Sequence, residues 1–134
     1  MQTIALFGEA SKGDYHQAYV CDNLSQLVDS LGHPPPESRG LFYGIQAILY
    51  RYRLIFFRVR EEGFSFDDYM QGLTLLRSHS HQIHLSAIFA PGVGNADLVE
   101  AISTLCHAYH SILVMTESDL YDYLTEFPLR KLEP

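Results

Sequence analysis

The stretch His84–Met115, HLSAIFAPGVGNADLVEAISTLCHAYHSILVM, decides the fold. It opens on one apolar run, His84–Phe89, and closes on another, Ser111–Met115. Neither alternates polar with apolar residues, which is the habit of strands covered on both faces. Between them Leu98, Ile102, Leu105 and Tyr109 recur at helical spacing. Asn95 stands where a helix cap belongs, and Asp97 falls in the first turn, where a negative charge suits the macrodipole. A strand, a glycine-bearing turn, a helix and a strand make the unit of a parallel sheet with right-handed crossovers.

The same alternation holds on either side. Thr3–Phe7 and Arg53–Val59 are two more apolar runs of strand length. Phe66, Tyr69, Met70, Leu73 and Leu76 make one helix face, and Leu120, Leu124 and Phe127 another. Ser65 with Asp68, and Thr116 with Asp119, are spaced as capping boxes at the starts of these helices. Between the first two strands, Asp22 is expected to cap a short helix through Leu24, Leu27, Val28 and Leu31, which Gly32 and His33-Pro-Pro-Pro36 end. A second helix is expected over Ser38–Tyr52, burying Leu41, Ile45, Ile48, Leu49 and Tyr52, with Gly40 and Gly44 permitting a close contact. Tyr15–Cys21, after the turn-like Ser11-Lys-Gly-Asp14, reads as a first helical turn or a strand; its Tyr and Val favour the strand, which would form a hairpin with the first. The expectation is an α/β, small Rossmann-like three-layer domain. Its sheet is mainly parallel and four-stranded, with a fifth strand from a hairpin at 15–21, in one domain over 1–127 with a short tail at 128–134.

Composition narrows the function classes. The chain has 134 residues, 47% hydrophobic and 19% charged, the balance of a soluble globular domain. A net charge of -7 speaks against a nucleic-acid backbone or an anionic membrane as partner. No apolar run reaches transmembrane length, and the start lacks the basic flank of a signal peptide. Cys21 and Cys106 are too few for a disulfide framework and read as buried thiols, so the expected location is cytoplasmic.

Ligands of open parallel sheets bind beyond the carboxyl ends of the strands, which nominates four turns. Gly92 and Gly94, followed by Asn95, would let backbone N–H groups approach an anion at a helix start, although Asp97 replaces the third glycine of a dinucleotide fingerprint. Gly8 and Gly13 have the separation of phosphate-loop glycines, but Asp14-Tyr15 follows them and Lys12 precedes the second, so this is no Walker motif. Lys12, Arg58 and Arg60 are the candidate charge partners, and Thr116 completes the ligand set at the fourth turn. The rim is also acidic, with Glu9, Asp14, Glu61, Glu62, Asp97, Glu117 and Asp119. Glu9, rigidly placed after the first strand, is the best catalytic candidate. His79, His81 and His84 are dense, and His107 and His110 sit at i,i+3, but no CxxC, HxxxH or HExxH spacing exists and no metal site is expected.

Two functions remain. One is a domain binding a nucleotide or other phosphorylated metabolite at the carboxyl edge of the sheet, through Gly8, Lys12, Arg60, Gly92, Gly94, Asn95 and Thr116, with the cofactor unknown. The other is a non-catalytic interaction module, self-associating as a homo-oligomer through helices rich in tyrosine. Tyr43, Tyr50, Tyr52, Tyr121 and Tyr123 carry that second reading, since at least one of the last two must point away from the core.

Overall fold

The computed structural model describes residues 2–78 and 84–130, the side chains of 126–130 excepted. In chain order it runs β1 (Thr3–Gly8), β2 (Tyr19–Cys21), α1 (Leu24–Leu31), α2 (Gly40–Leu49) and β3 (Arg53–Arg58). It continues with α3 (Phe66–Ser78), β4 (Leu85–Phe89), α4 (Ala96–Tyr109), β5 (Ile112–Val114) and α5 (Glu117–Arg130). The sheet order is β2-β3-β1-β4-β5. β3, β1, β4 and β5 are mutually parallel, and β2 lies antiparallel on β3. This is the three-layer, Rossmann-like α/β architecture that the strand patterns predict.

Side-chain alternation along β1 sorts the two cores. Ile4 and Leu6 point into a cluster with Leu27 and Leu31 of α1, Leu41 and Ala47 of α2, and Leu120 and Leu124 of α5. Ala5 and Phe7 point the other way, to Tyr69 and Leu73 of α3 and Leu98 and Ile102 of α4. Every residue of β1 is buried, as a central strand covered on both faces requires. Phe7 stacks between Phe57 and Tyr69, with ring centroids 4.9 and 5.0 Å away.

Three local expectations change. The strand within 15–21 forms only at Tyr19–Cys21, and its partner is β3 rather than β1. β1 has no free edge, because β3 and β4 occupy both of its ladders. The cap of α1 is Asn23, whose side chain accepts from the Gln26 N–H at 2.9 Å, while Asp22 is drawn to the Arg53 guanidinium at 2.8 Å. The second helix is shorter than 38–52. It stops at Leu49, after which Arg51 adopts φ 69° and the Tyr52 N–H returns to the Ala47 carbonyl. Leu49, expected inside, is 58% exposed.

The chain passes from β1 to β3 on one side and then across β1 to β4 on the other. The order therefore reverses at the tips of β1 and β4, where such folds hold their ligands.

Candidate functional site

At that reversal point the crevice is closed by the protein's own backbone. A Cβ on Gly8 would lie 2.6 Å from the Gly40 Cα, so the end of β1 packs directly on the start of α2. A Cβ on Gly63 would lie 2.4 Å from the Gly92 carbonyl oxygen. The loops after β3 and β4 thus meet across the end of β1. Both glycines hold positive φ, 87° and 79°, which side chains rarely adopt.

The amides beneath are also taken. Glu62, on the loop after β3, accepts from the N–H groups of Glu9 at 3.1 Å, Arg39 at 2.9 Å and Gly40 at 3.0 Å. An internal carboxylate occupies the place an anionic ligand would take at the start of α2. Arg39, the residue before that helix, makes no side-chain cap of its own. Glu9 reciprocates, its carboxylate accepting the Glu62 N–H at 3.0 Å. Burial pushes the Glu62 pKa up, the three amides pull it down, and the Glu9 carboxylate adds to the rise, leaving it above the ordinary glutamate value. Below this tie, the Tyr69 hydroxyl accepts the Gly63 N–H at 2.7 Å, and burial raises its pKa far above the usual tyrosine range.

One strand over, a second cluster forms between the loops after β1 and β3 and the first turn of α3. Asp68 has a side chain only 1% exposed and serves three donors. These are the His16 Nε2 at 2.9 Å, the Arg60 N–H at 2.9 Å and the Arg60 guanidinium. Burial works against the Asp68 charge, yet these bonds outweigh it and hold the pKa below the ordinary aspartate value. The Arg60 and Arg58 guanidiniums both stack on Tyr15, 4.3 and 4.5 Å from its ring centroid. Arg58 donates to the Gly13 carbonyl, while its Nε is buried with no hydrogen-bond partner among the described residues. Arg60 remains half in solvent, and beside it opens a cavity of about 280 Å³ lined by Arg60, Ser65, Phe66, Asp67 and Asp68.

A larger groove, about 380 Å³, runs between α2 and α5, with Phe42, Tyr43, Tyr50, Leu120, Tyr121 and Leu124 among its lining. Arg39 and Glu117 pair across its mouth at 3.7 Å, both largely exposed. Of the tyrosines read from the sequence, Tyr43, Tyr52 and Tyr123 are buried, and Tyr50 and Tyr121 are exposed.

The residues nominated from sequence do not converge. Gly8 and Glu9 sit in the closed crevice. Lys12 lies on the surface where the loop after β1 passes the end of α1, its N–H bonded to the Leu31 carbonyl at 3.2 Å. Gly92 packs beside Gly63, whereas Gly94 faces open space. Asn95 caps α4 by accepting from the Leu98 N–H at 3.0 Å, and Thr116 caps α5 by accepting from the Asp119 N–H at 3.1 Å. Of the nominated residues, Arg58 and Arg60 belong to the second cluster. His79 and His81 lie outside the described residues. Among the described residues no group of three or more His, Cys, Asp or Glu is placed to hold a metal ion. Both thiols are buried, and burial pushes Cys21 and Cys106 up to about 11, far from a reactive thiolate. No described helix is long and apolar enough to cross a membrane.

Asp68 was readable in outline. It shares a helix face with Gly72, Leu73 and Leu76, and an acid on a buried stripe demands partners. His16 and Tyr15 carry no such mark, because what they meet is remote in sequence. No protein-family model matches the chain, and no curated protein or solved structure shows significant similarity to it.

Proposed function

We propose that this chain is a binding domain for a phosphorylated small molecule, held at the corner between the loops after β1 and β3 and the start of α3. One observation carries the reading: two guanidiniums, Arg58 and Arg60, stack on a single tyrosine, and Arg60 also pairs with the buried Asp68 carboxylate. In a chain of net charge -7 this is a local concentration of positive charge. A guanidinium presents five N–H donors in a planar fork suited to phosphate, and the Asp68 bond engages only part of the Arg60 set. Ser65 and Phe66 line the adjoining cavity, and Phe64, 72% exposed, stands close by in the chain. An aromatic surface beside an arginine suits a nucleotide or another metabolite that carries a ring and a phosphate.

The closed crevice favours the β3 side over the Gly92–Asn95 turn as the place for such a ligand. Glu9 is tied to the Glu62 amide beside a second carboxylate, which supports a structural tie rather than a catalytic base, so the reading is of binding and not turnover.

The test is a thermal-shift panel of nucleotides, dinucleotides and sugar phosphates, with and without Mg²⁺. A ligand at about a hundred times its dissociation constant adds about 2.7 kcal/mol, or roughly 10 °C for a chain of this length. Arg60→Gln should remove that shift, while Lys12→Ala and Gly94→Ala should leave it intact. A flat panel, or a shift that survives Arg60→Gln, overturns the assignment.

A further inference from the structure

The cavity beside Arg60 holds residues that discriminate between phosphorylated ligands. At about 280 Å³ it stands at the lower end of the roughly 300–1,000 Å³ that ligand cavities occupy. That is room for one ring and one phosphate group, not for a dinucleotide. Among the described residues, Arg60 is the one cation of its lining, which it shares with Ser65, Phe66, Asp67 and Asp68.

The two carboxylates of that lining differ. Asp68 is buried, and its charge is answered by His16 and by two groups of Arg60. Asp67 is exposed and has no hydrogen-bond or ion-pair partner among the described residues. A free carboxylate beside a single guanidinium limits the charge a ligand can bring. Arg60 meets the first negative charge; a second is brought towards Asp67 with no other cation in the lining to offset it. Arg58 does not supply that cation, because it lies outside the lining and donates to the Gly13 carbonyl. The positive end of α3 does not supply it either, since Asp67 and Asp68 already occupy the first turn. Towards the rest of a ligand Asp67 is an acceptor, suited to a sugar hydroxyl or a ring amino group, and the exposed Phe66 offers an apolar face to a ring.

A phosphate monoester carries about two negative charges at pH 7, and a diester carries one. We infer that the ligand of the Arg60 corner is a singly charged phosphodiester of mononucleotide size, of the class of the nucleoside 3′,5′-cyclic monophosphates, and that Asp67 is the residue that selects it over monoesters. This inference rests on the phosphate reading above and narrows it to one charge state.

Titration calorimetry of the full chain compares three forms of each common nucleoside: the 3′,5′-cyclic monophosphate, the 5′-monophosphate and the methyl ester of the 5′-monophosphate. The methyl ester is an open chain with the single charge of the cyclic form, so it separates charge from ring shape. Both diesters should bind about tenfold more tightly than the monoester. Arg60→Gln should abolish binding of all three. Asp67→Asn should strengthen the monoester until it lies within about threefold of the diesters. Position 67 is exposed, and circular dichroism confirms that the variant keeps its fold. Arg60-dependent binding in which the monoester matches the diesters, a methyl ester that behaves as the monoester does, or a preference that survives Asp67→Asn overturns the inference and leaves the phosphate reading standing. Absence of binding by all three forms also overturns it, and the wider thermal-shift panel, with its sugar phosphates, then decides the phosphate reading separately.

Discussion

Glu62 is the side chain whose removal tests the account of the rim most directly. It accepts from three backbone N–H groups, those of Glu9, Arg39 and Gly40, and it caps α2 from a loop 22 residues beyond Gly40. Glu62→Ala leaves all three donors without their acceptor. At roughly 1.5 kcal/mol for a hydrogen bond to a charged group, three such bonds total about 4.5 kcal/mol. Burial of the carboxylate, with Glu9 beside it, opposes that gain, as the raised pKa records, so a net loss of about 2 kcal/mol is expected. At roughly 4 °C per kcal/mol for this length, the melting temperature should fall by about 8 °C. An emptied cradle of amides should also accept a carboxylate from solution. Acetate at about ten times its dissociation constant would return about 1.4 kcal/mol, or roughly 6 °C, which chloride at equal ionic strength would not. Calorimetry of wild type and Glu62→Ala in both salts measures this. An unchanged melting temperature would refute the capping role, and a fall that acetate does not repair would refute the cradle.

Two further outcomes follow from the same packing. Gly40→Ala places a Cβ 2.5 Å from the Gly8 Cα, backbone against backbone, and should cost about 2 kcal/mol in urea denaturation, whereas Gly94→Ala, with nothing within 4 Å, should stay within about 0.5 kcal/mol of wild type. Asp68→Asn should destabilise by about 2 kcal/mol at pH 7. Because folding lowers the Asp68 pKa, its contribution is present above the ordinary value of 3.8 and is lost as pH falls through the folded one. Stability curves of wild type and Asp68→Asn should therefore converge in acid, and a constant gap would show that the carboxylate's charge plays no part.

What could be read from the sequence was what neighbours in the chain decide. The strands at 84–89 and 111–115, the helix between them and its Asn95 cap are set by residues within one turn of each other, and all appear where the pattern puts them. The shift of the α1 cap from Asp22 to Asn23 marks the limit of such reading. Both residues are good caps, and the choice is made by Arg53, 31 positions away. The hairpin failed for the same kind of reason, since nothing within 15–21 reveals that β1 is enclosed by β3 and β4. The rim could be located, because parallel strands gather their tips on one edge, but its pairings could not. Glu9 with Glu62 spans 53 positions and His16 with Asp68 spans 52, and no local spacing encodes either.

α2 borders both the closed crevice and the groove beside α5. Its glycines face inward, Gly40 onto the end of β1 and Gly44 onto Leu6 and Leu54, so the helix lies closer to the sheet than a residue with a Cβ would allow. That close approach is what brings the N–H groups of Arg39 and Gly40 within reach of Glu62, and it is the reason the crevice at the strand tips is shut. On its outer side Phe42 and Leu49 are exposed, and a groove lined by Phe42 and Tyr50 separates α2 from α5. A bulkier residue at position 40 would lift the helix, loosening the cradle and reshaping the groove together. Gly40, which looked like a packing detail, thus decides where an anion cannot bind.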